Sequence, residues 1–356
     1  MKGVDVFLDT LVDEDATVLF GNPGSTELPL IAALATRRDL RYVLGLQEST
    51  VVGMADGYSR TTGRPCVVNL HAAAGLGNGI GNLTNAVAHR APIVVTAGNA
   101  DRRHAIADPL LSGDLVTLSS GVSKWSHEAR SARELGTVMR RAFLQAASHP
   151  RGPVFVSLPS DVLEEEGPDV GVRARSVIAP GHAASGIDEV ARLLTDLPPE
   201  QVAIVAGDAV ADADALGPLQ ELAERLGCQV FGSPFYSRRV FPTTHPQWRG
   251  MIDARADAIA KALAPFTRVL VVDYQPFLVY PYTDAEPVPA HVELLHLCPE
   301  ATQVGRTHPV RLGMVGDPRA SLEALVAALP ASLTDDGGGG GARLAAERQA
   351  ADTARV

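Results

Sequence analysis

Three stretches carrying residues fit for proton transfer or anion recognition stand directly behind short apolar runs. Gly21-Asn22-Pro23-Gly24-Ser25-Thr26 follows Thr17–Phe20, Glu48 follows Arg41–Leu46, and His71 follows Cys66–Leu70. A carboxylate can exchange a proton with a ring nitrogen, an imidazole carries protons near neutral pH, and a hydroxyl can orient a substrate carboxylate. Each also has a plainer reading. Ser25 and Thr26 suit helix N-caps, Glu48 suits the positive end of a helix, and His71 suits a satisfied core histidine. Together, on strand ends of one parallel sheet, they form a candidate site, because open α/β sheets bind ligands beyond the carboxyl ends of their strands. A fourth candidate, His245, lies in Phe241-Pro242-Thr243-Thr244-His245-Pro246-Gln247-Trp248-Arg249-Gly250, which has no helical or strand period. Irregular loops of this kind often carry function.

The elements that must position these residues read as alternating Val/Ile/Leu runs and amphipathic stretches, the pattern of parallel sheets covered by helices on both faces. Strands are predicted near Thr17–Phe20, Arg41–Leu46, Cys66–Leu70, Ile93–Ala97 and Val154–Leu158, and helices near Val4–Asp13, Glu27–Leu34, Ser49–Thr62, Leu76–Ala88 and Arg133–His149. A second unit has strands near Val202–Ala206, Gln229–Phe231, Val269–Val272 and Val292–Leu297. Its helices fall near Ile187–Leu194, Leu216–Leu226, Ala254–Leu263 and Ser321–Leu329. The fold class is therefore α/β, with two doubly wound parallel-sheet domains at residues 1–163 and 187–332. Residues 164–186 read as a linker, and 333–356 as a glycine-rich tether (337–341) running into an incomplete helix.

Length and composition agree. A chain of 356 residues, 46% hydrophobic and 20% charged, is sized for about two domains with real cores. Its net charge of -10, with basic residues scattered, gives no basic stripe for nucleic acid. No apolar run is long enough for a membrane span and the amino terminus is not a signal peptide, so the expected location is cytoplasmic. Cys66, Cys228 and Cys298 are far apart without metal-ligand spacing, and read as buried free thiols. Two phosphate motifs fail. The glycines from Gly75 to Gly81 miss the GxGxxG spacing at Ile80 or Asn82, and the loop after Gly21 lacks the Lys-Ser/Thr ending of a P-loop.

The segments GNPGSTELPL, LQESTVVGMADGYSR, NLHAAAGLGNGIGNLTNA, PIVVTAG and FPTTHPQWRG resemble, in order and spacing, the thiamine diphosphate-dependent decarboxylases, nearest to the benzoylformate type. The resemblance runs to about Leu329. It implies an aminopyrimidine-binding domain followed by a central domain that binds no thiamine. It also implies a lyase that releases CO2 and an aldehyde from a 2-oxo acid. Glu48 matches the family glutamate on the aminopyrimidine. Protonating that ring favours the tautomer whose exocyclic nitrogen takes the thiazolium proton, so Glu48 is expected to be desolvated with a raised pKa. His71 and His245 match two active-site histidines, and Ser25 a serine that contacts the substrate carboxylate. Asn22, Pro23, Gly24, Gly75 and Asn78 fall where the cofactor is contacted, with Gly75–Gly81 read as a loop that lets backbone approach it.

The resemblance also implies Mg2+ held with the diphosphate by a further domain bearing Gly-Asp-Gly. This chain has only Gly207-Asp208-Ala209 and Gly316-Asp317-Pro318, so no metal ligand is assigned in it. The expectation is little turnover by the chain alone, with a homodimer, a homotetramer or a chain supplying the diphosphate domain as partner. A carboligase of the acetolactate synthase type, a partner-dependent subunit and a non-catalytic paralogue stand as alternatives.

Overall fold

The computed structural model describes residues 1–167, 174–175 and 181–334. Residues 335–356 of the predicted tether and terminal helix lie outside the described residues, as do 168–173 and 176–180 of the predicted linker. The chain divides into two compact units, Met1–Ile178 and Ala179–Val356.

Unit 1 runs α1 (Gly3–Asp13), β1 (Val18–Gly21), α2 (Leu28–Leu34), β2 (Arg41–Leu44), α3 (Glu48–Thr62), β3 (Cys66–Leu70), α4 (Ala72–Ala88), β4 (Ile93–Asn99), α5 (Leu115–Ser119), β5 (Ser126–Glu128), α6 (Ala132–Ala147), β6 (Val154–Pro159) and α7 (Ser160–Glu164). Its six strands are all parallel, in the order β2-β1-β3-β4-β6-β5. The central strands β3, β4 and β6 are buried at every residue, as continuous apolar runs covered on both faces require. Two apolar clusters, one under each helical layer, enclose the sheet. One joins α1 and α6 through Phe7, Leu11, Met139 and Phe143, the other joins α3 and α4 through Val51, Val52, Leu76 and Leu83.

Unit 2 runs α8 (Ile187–Thr195), β7 (Val202–Ala206), α9 (Asp208–Asp212), α10 (Leu216–Leu226), β8 (Gln229–Gly232), β9 (Trp248–Met251), α11 (Ala256–Leu263), β10 (Arg268–Val272), β11 (Glu293–Cys298), β12 (Leu312–Val315) and α12 (Pro318–Ala328). Its sheet is also six-stranded and parallel, in the order β12-β11-β10-β7-β8-β9. Counted within the unit this is 3-2-1-4-5-6 read from the β9 edge, the doubly wound order.

Three strands were missed by the sequence reading: β5, β9 and β12. All lie at sheet edges and show residues to solvent, so Ser-His-Glu or Trp-Arg-Gly-Met carries no apolar period. The predicted 241–250 loop thus ends in β9. A second correction concerns glycine. The helix predicted at Leu76–Ala88 is present and begins at Ala72, so Gly75–Gly81, also read as a loop, is the first half of α4, whose buried face is Ala72, Gly75, Leu76, Gly79, Leu83 and Ala86. Packing of this stripe against α3 and β3 overrides the poor helix propensity of four glycines.

Both ends of the predicted linker pack on a unit. Glu166 bridges Lys2 and Gly167 N–H donates to Met1 O at 2.8 Å, while Ala184 N–H donates to Ser321 Oγ at 2.9 Å. The three cysteines are free and buried, and burial pushes the Cys228 thiol up to about 12.

Candidate active site

In unit 1 the chain leaves β1 for β2 on one side and returns to β3 on the other. The crevice beyond the carboxyl ends of β1 and β3 is therefore the place where this topology opens a ligand site. The loop after β1 and the residue after β3 meet there. Glu48 arrives from the neighbouring β2.

Glu48 is the first residue of α3, behind the N-cap Gln47, whose side chain accepts Thr50 N–H at 3.0 Å. The helix end favours a carboxylate at this position. Asn78 Nδ2 donates to Glu48 Oε2 at 3.1 Å, and Asn82 Nδ2, one turn further along α4, donates to Ser49 O at 2.6 Å. Spaced four apart, the two amides share a helix face and stitch α4 to the start of α3. Gly75 lies beneath, where an added Cβ would stand 3.2 Å from Glu48 Oε1. Among the described residues Oε1 accepts no hydrogen bond. Glu48 is half-buried, less withdrawn from water than expected from the sequence.

His71 is presented by a strained turn: Ala72, which follows it and opens α4, has φ 50°. Its ring rests on Gly24, where any Cβ would come within 2.4 Å of ring atoms. Nδ1 lies 2.8 Å from Oε2 of Glu27, a residue the sequence reading treated only as a helix start. Glu27 is 1% exposed. Its carboxylate also accepts Gly24 N–H at 2.9 Å, Thr26 Oγ1–H at 2.8 Å and Gly98 N–H at 2.8 Å. A Cβ on Gly98 would meet Oε1 at 2.1 Å, so β4 must be bare there. Burial, and second the nearby Glu27 charge, push the Tyr42 phenol well above its usual range. The spacing of Gly24 and Glu27, the half of a capping box in which the third helical residue reaches back to the N-cap N–H, was the signal available for Glu27.

The remaining candidates sort by what their side chains already do. Asn22 Nδ2 donates to Gly45 O at 3.1 Å, tying the β1 loop to the β2 loop. Pro23 and Gly24 carry the chain to the exposed Ser25, which opens a 3-10 turn without capping it. Thr26 is committed to Glu27. His245 belongs to unit 2, where Nε2 lies 3.0 Å from Glu224 Oε1 of α10 and the ring packs edge-on against Phe241. The structure thus brings together Glu48, Asn78 and Gly75 as one group and His71, Gly24 and Glu27 as another, on adjacent strand ends. Among the described residues no cluster of His, Cys, Asp and Glu stands in metal-binding geometry, and no helix is long and apolar enough to cross a membrane.

Comparison with known proteins bears on this geometry. Residues 1–112 match the family described as thiamine pyrophosphate enzyme, N-terminal TPP binding domain, and residues 187–325 match the central domain of the same enzymes. Benzoylformate decarboxylase of Pseudomonas aeruginosa is 37% identical over 319 residues, 87% of this chain and 58% of that protein. Among solved structures, the Rhodococcus jostii thiamine diphosphate-dependent 4-hydroxybenzoylformate decarboxylase superposes with a TM-score of 0.84 at 34% identity, covering 92% of this chain and 62% of the other. The benzoylformate decarboxylase of Polynucleobacter necessarius gives 0.85 at 28% identity, covering 92% and 61%. The chain spans less than two thirds of the length of these relatives.

Proposed function

Because the chain belongs to the family of thiamine diphosphate-dependent enzymes, we propose that unit 1 holds the aminopyrimidine half of the cofactor and that the protein decarboxylates a 2-oxo acid, of the aryl-substituted class, to CO2 and an aldehyde. The observation that carries the reading is the placing, on the strand ends that flank β1 in the unit 1 sheet, of Glu48, one of whose carboxylate oxygens accepts no hydrogen bond among the described residues, and of a carboxylate-bound His71. When bound, thiamine diphosphate supplies the carbon nucleophile and the electron sink that decarboxylation needs.

The chain's own residues do the rest. Glu48 exchanges a proton with a pyrimidine ring nitrogen, and Asn78 fixes the carboxyl group's orientation while Gly75 leaves it room. His71 moves protons to and from the substrate-derived group at Nε2, the nitrogen turned away from Glu27. Ser25, exposed and with no side-chain hydrogen bond among the described residues, donates its hydroxyl to the substrate carboxylate. His245 is a further proton carrier in this reading, although its contacts within unit 2 serve to hold its own loop.

The diphosphate and its Mg2+ call for ligands that these residues do not offer, and we assign them to a further domain or a partner chain. We read an exposed apolar rim as the surface for such a partner. Leu28, Leu46, Ile106 and Leu110, 62 to 97% exposed, all follow carboxyl ends of strands of the unit 1 sheet. A homodimer or homotetramer fits this rim, and three free buried thiols fit the cytoplasm.

The test is to express the full chain together with the part of the Pseudomonas aeruginosa enzyme outside the match, add thiamine diphosphate and Mg2+, and follow CO2 release from benzoylformate. Turnover that falls by about 10²–10⁴-fold in Glu48→Gln is expected. Equal release by wild type and Glu48→Gln, or none from either, contradicts the reading.

A further inference from the structure

We infer that Glu27 is the positioning residue of the site, and that it holds neutral His71 in the tautomer with its proton on Nδ1, leaving the Nε2 lone pair free as a base. The inference rests on the reading of His71 as a proton carrier, but it is drawn from hydrogen bonds alone.

The assignment follows from counting donors. Glu27 Oε1 accepts from Thr26 Oγ1 and Gly98 N–H, and Oε2 accepts from Gly24 N–H. Thr26 has one hydroxyl proton, and at 2.8 Å from Oε1 that proton is committed to the carboxylate. Its oxygen, 3.2 Å from His71 Nδ1, therefore shows the ring a lone pair. With Glu27 ionised, Oε2, 2.8 Å from Nδ1, is an acceptor as well. Both atoms beside Nδ1 are acceptors, so Nδ1 must carry a proton whatever the charge of the ring. With Nδ1–H as its fourth donor, the carboxylate meets four donors, the number its lone-pair sites can take.

Nε2 has no partner among the described residues, and the side chain keeps 20% of its surface exposed. A proton taken at Nε2 makes the ring an imidazolium whose charge faces Glu27 across 2.8 Å, and the same proton leaves from Nε2. A buried carboxylate that fixes an imidazole's tautomer and faces its charge is how a histidine base is commonly prepared. The surroundings are built to keep Glu27 in place: Gly98 cannot carry a side chain without striking Oε1, and Gly24 cannot without striking the His71 ring.

Long-range 1H–15N spectra of the full chain, recorded well above the ordinary imidazole pKa of about 6.5, read the tautomer directly. His71→Gln identifies which of the ten histidine signals belongs to His71. Wild type should show a protonated Nδ1 and a bare Nε2 at His71. The opposite pattern overturns the inference without any variant of Glu27. In Glu27→Gln the proton should shift to Nε2, and an unchanged pattern in a folded variant overturns it too. Should Glu27→Gln not fold, Thr26→Val decides: retention of Nδ1–H supports Glu27 as the positioning group, and its loss transfers the role to Thr26. These readouts need no turnover. A protein that fails to decarboxylate yet shows Nδ1–H would sink the proposed function and leave this inference standing.

Discussion

The two units share an architecture and use it differently. Each has a parallel six-stranded sheet with one switch point, between β1 and β3 in unit 1 and between β7 and β10 in unit 2. Both switch points are acidic. In unit 2 the charges are spent on the unit's own loops. Asp208 accepts Ser237 N–H at 2.9 Å, Arg238 N–H at 3.1 Å and the Ser237 hydroxyl. Asp212 takes Arg238 and the Tyr274 hydroxyl, and Asp273 accepts Tyr274 N–H at 2.8 Å and packs where Gly207 lacks a side chain. In unit 1 one carboxylate, Glu27, is equally saturated, but its fourth partner is a histidine whose Nε2 has no partner among the described residues, and one oxygen of Glu48 accepts no hydrogen bond among them. A switch point becomes a site when its polar groups leave some capacity unspent. Topology alone does not decide it.

Matched substitutions should separate the two roles. The largest effect is expected from carboxylate-to-amide changes. Glu48→Gln should remove about 10²–10⁴-fold of the reconstituted turnover with little loss of stability. Asp208→Asn should instead lower unfolding stability by about 1–3 kcal/mol in urea titration and leave the turnover per folded molecule alone. If Asp208→Asn harms turnover as Glu48→Gln does, the contrast fails.

Glycine-to-alanine changes come next. A Cβ on Gly98 meets Glu27 at 2.1 Å and one on Gly207 meets Asp273 at 2.0 Å. Each should cost about 1–3 kcal/mol of stability, measured in the same titrations, because the contact forces a shift in packed surroundings. Only Gly98→Ala should also move the His71 ring signals.

The smallest effect is on pH dependence. Burial lowers the pKa of His296 and of His308 below 6.5, with the Asp273 carbonyl partly opposing it at His296 and Glu286 at His308. Below pH 6.5 the unfolded chain takes up protons that these folded residues refuse, so the stability they confer is full above 6.5 and lost as pH falls through their folded values. Urea midpoints should fall between pH 7 and 5, and less so in His308→Gln. A slope unchanged by that substitution removes His308 from the explanation.

How much of this could be read from the sequence follows from burial. Cys66–Leu70 and Val202–Ala206 were placed to the residue because strands buried on both faces are apolar throughout. β5, β9 and β12 were not, because an edge strand has one neighbour and little apolar requirement. Ser25, Glu48 and His71 could be singled out because each follows an apolar run with a residue that has no place in one. Glu27 could not be singled out on that basis: it stands at a helix start, where an acid is ordinary, and its importance lies in contacts with Gly98 and His71 from distant strands. The helix predicted at Leu76–Ala88 begins four residues earlier, at Ala72, because the positive-φ turn at Ala72 that opens α4 directly behind His71 leaves no mark in the sequence.

The most direct test of the claim that unit 1 alone carries the pyrimidine half-site is binding of 4-amino-5-hydroxymethyl-2-methylpyrimidine to the full chain, followed by ligand-observed NMR. Binding is expected for wild type, kept in Asp208→Asn and lost in Glu48→Gln. Binding that survives Glu48→Gln undiminished, or no binding to the wild type at all, would contradict the claim.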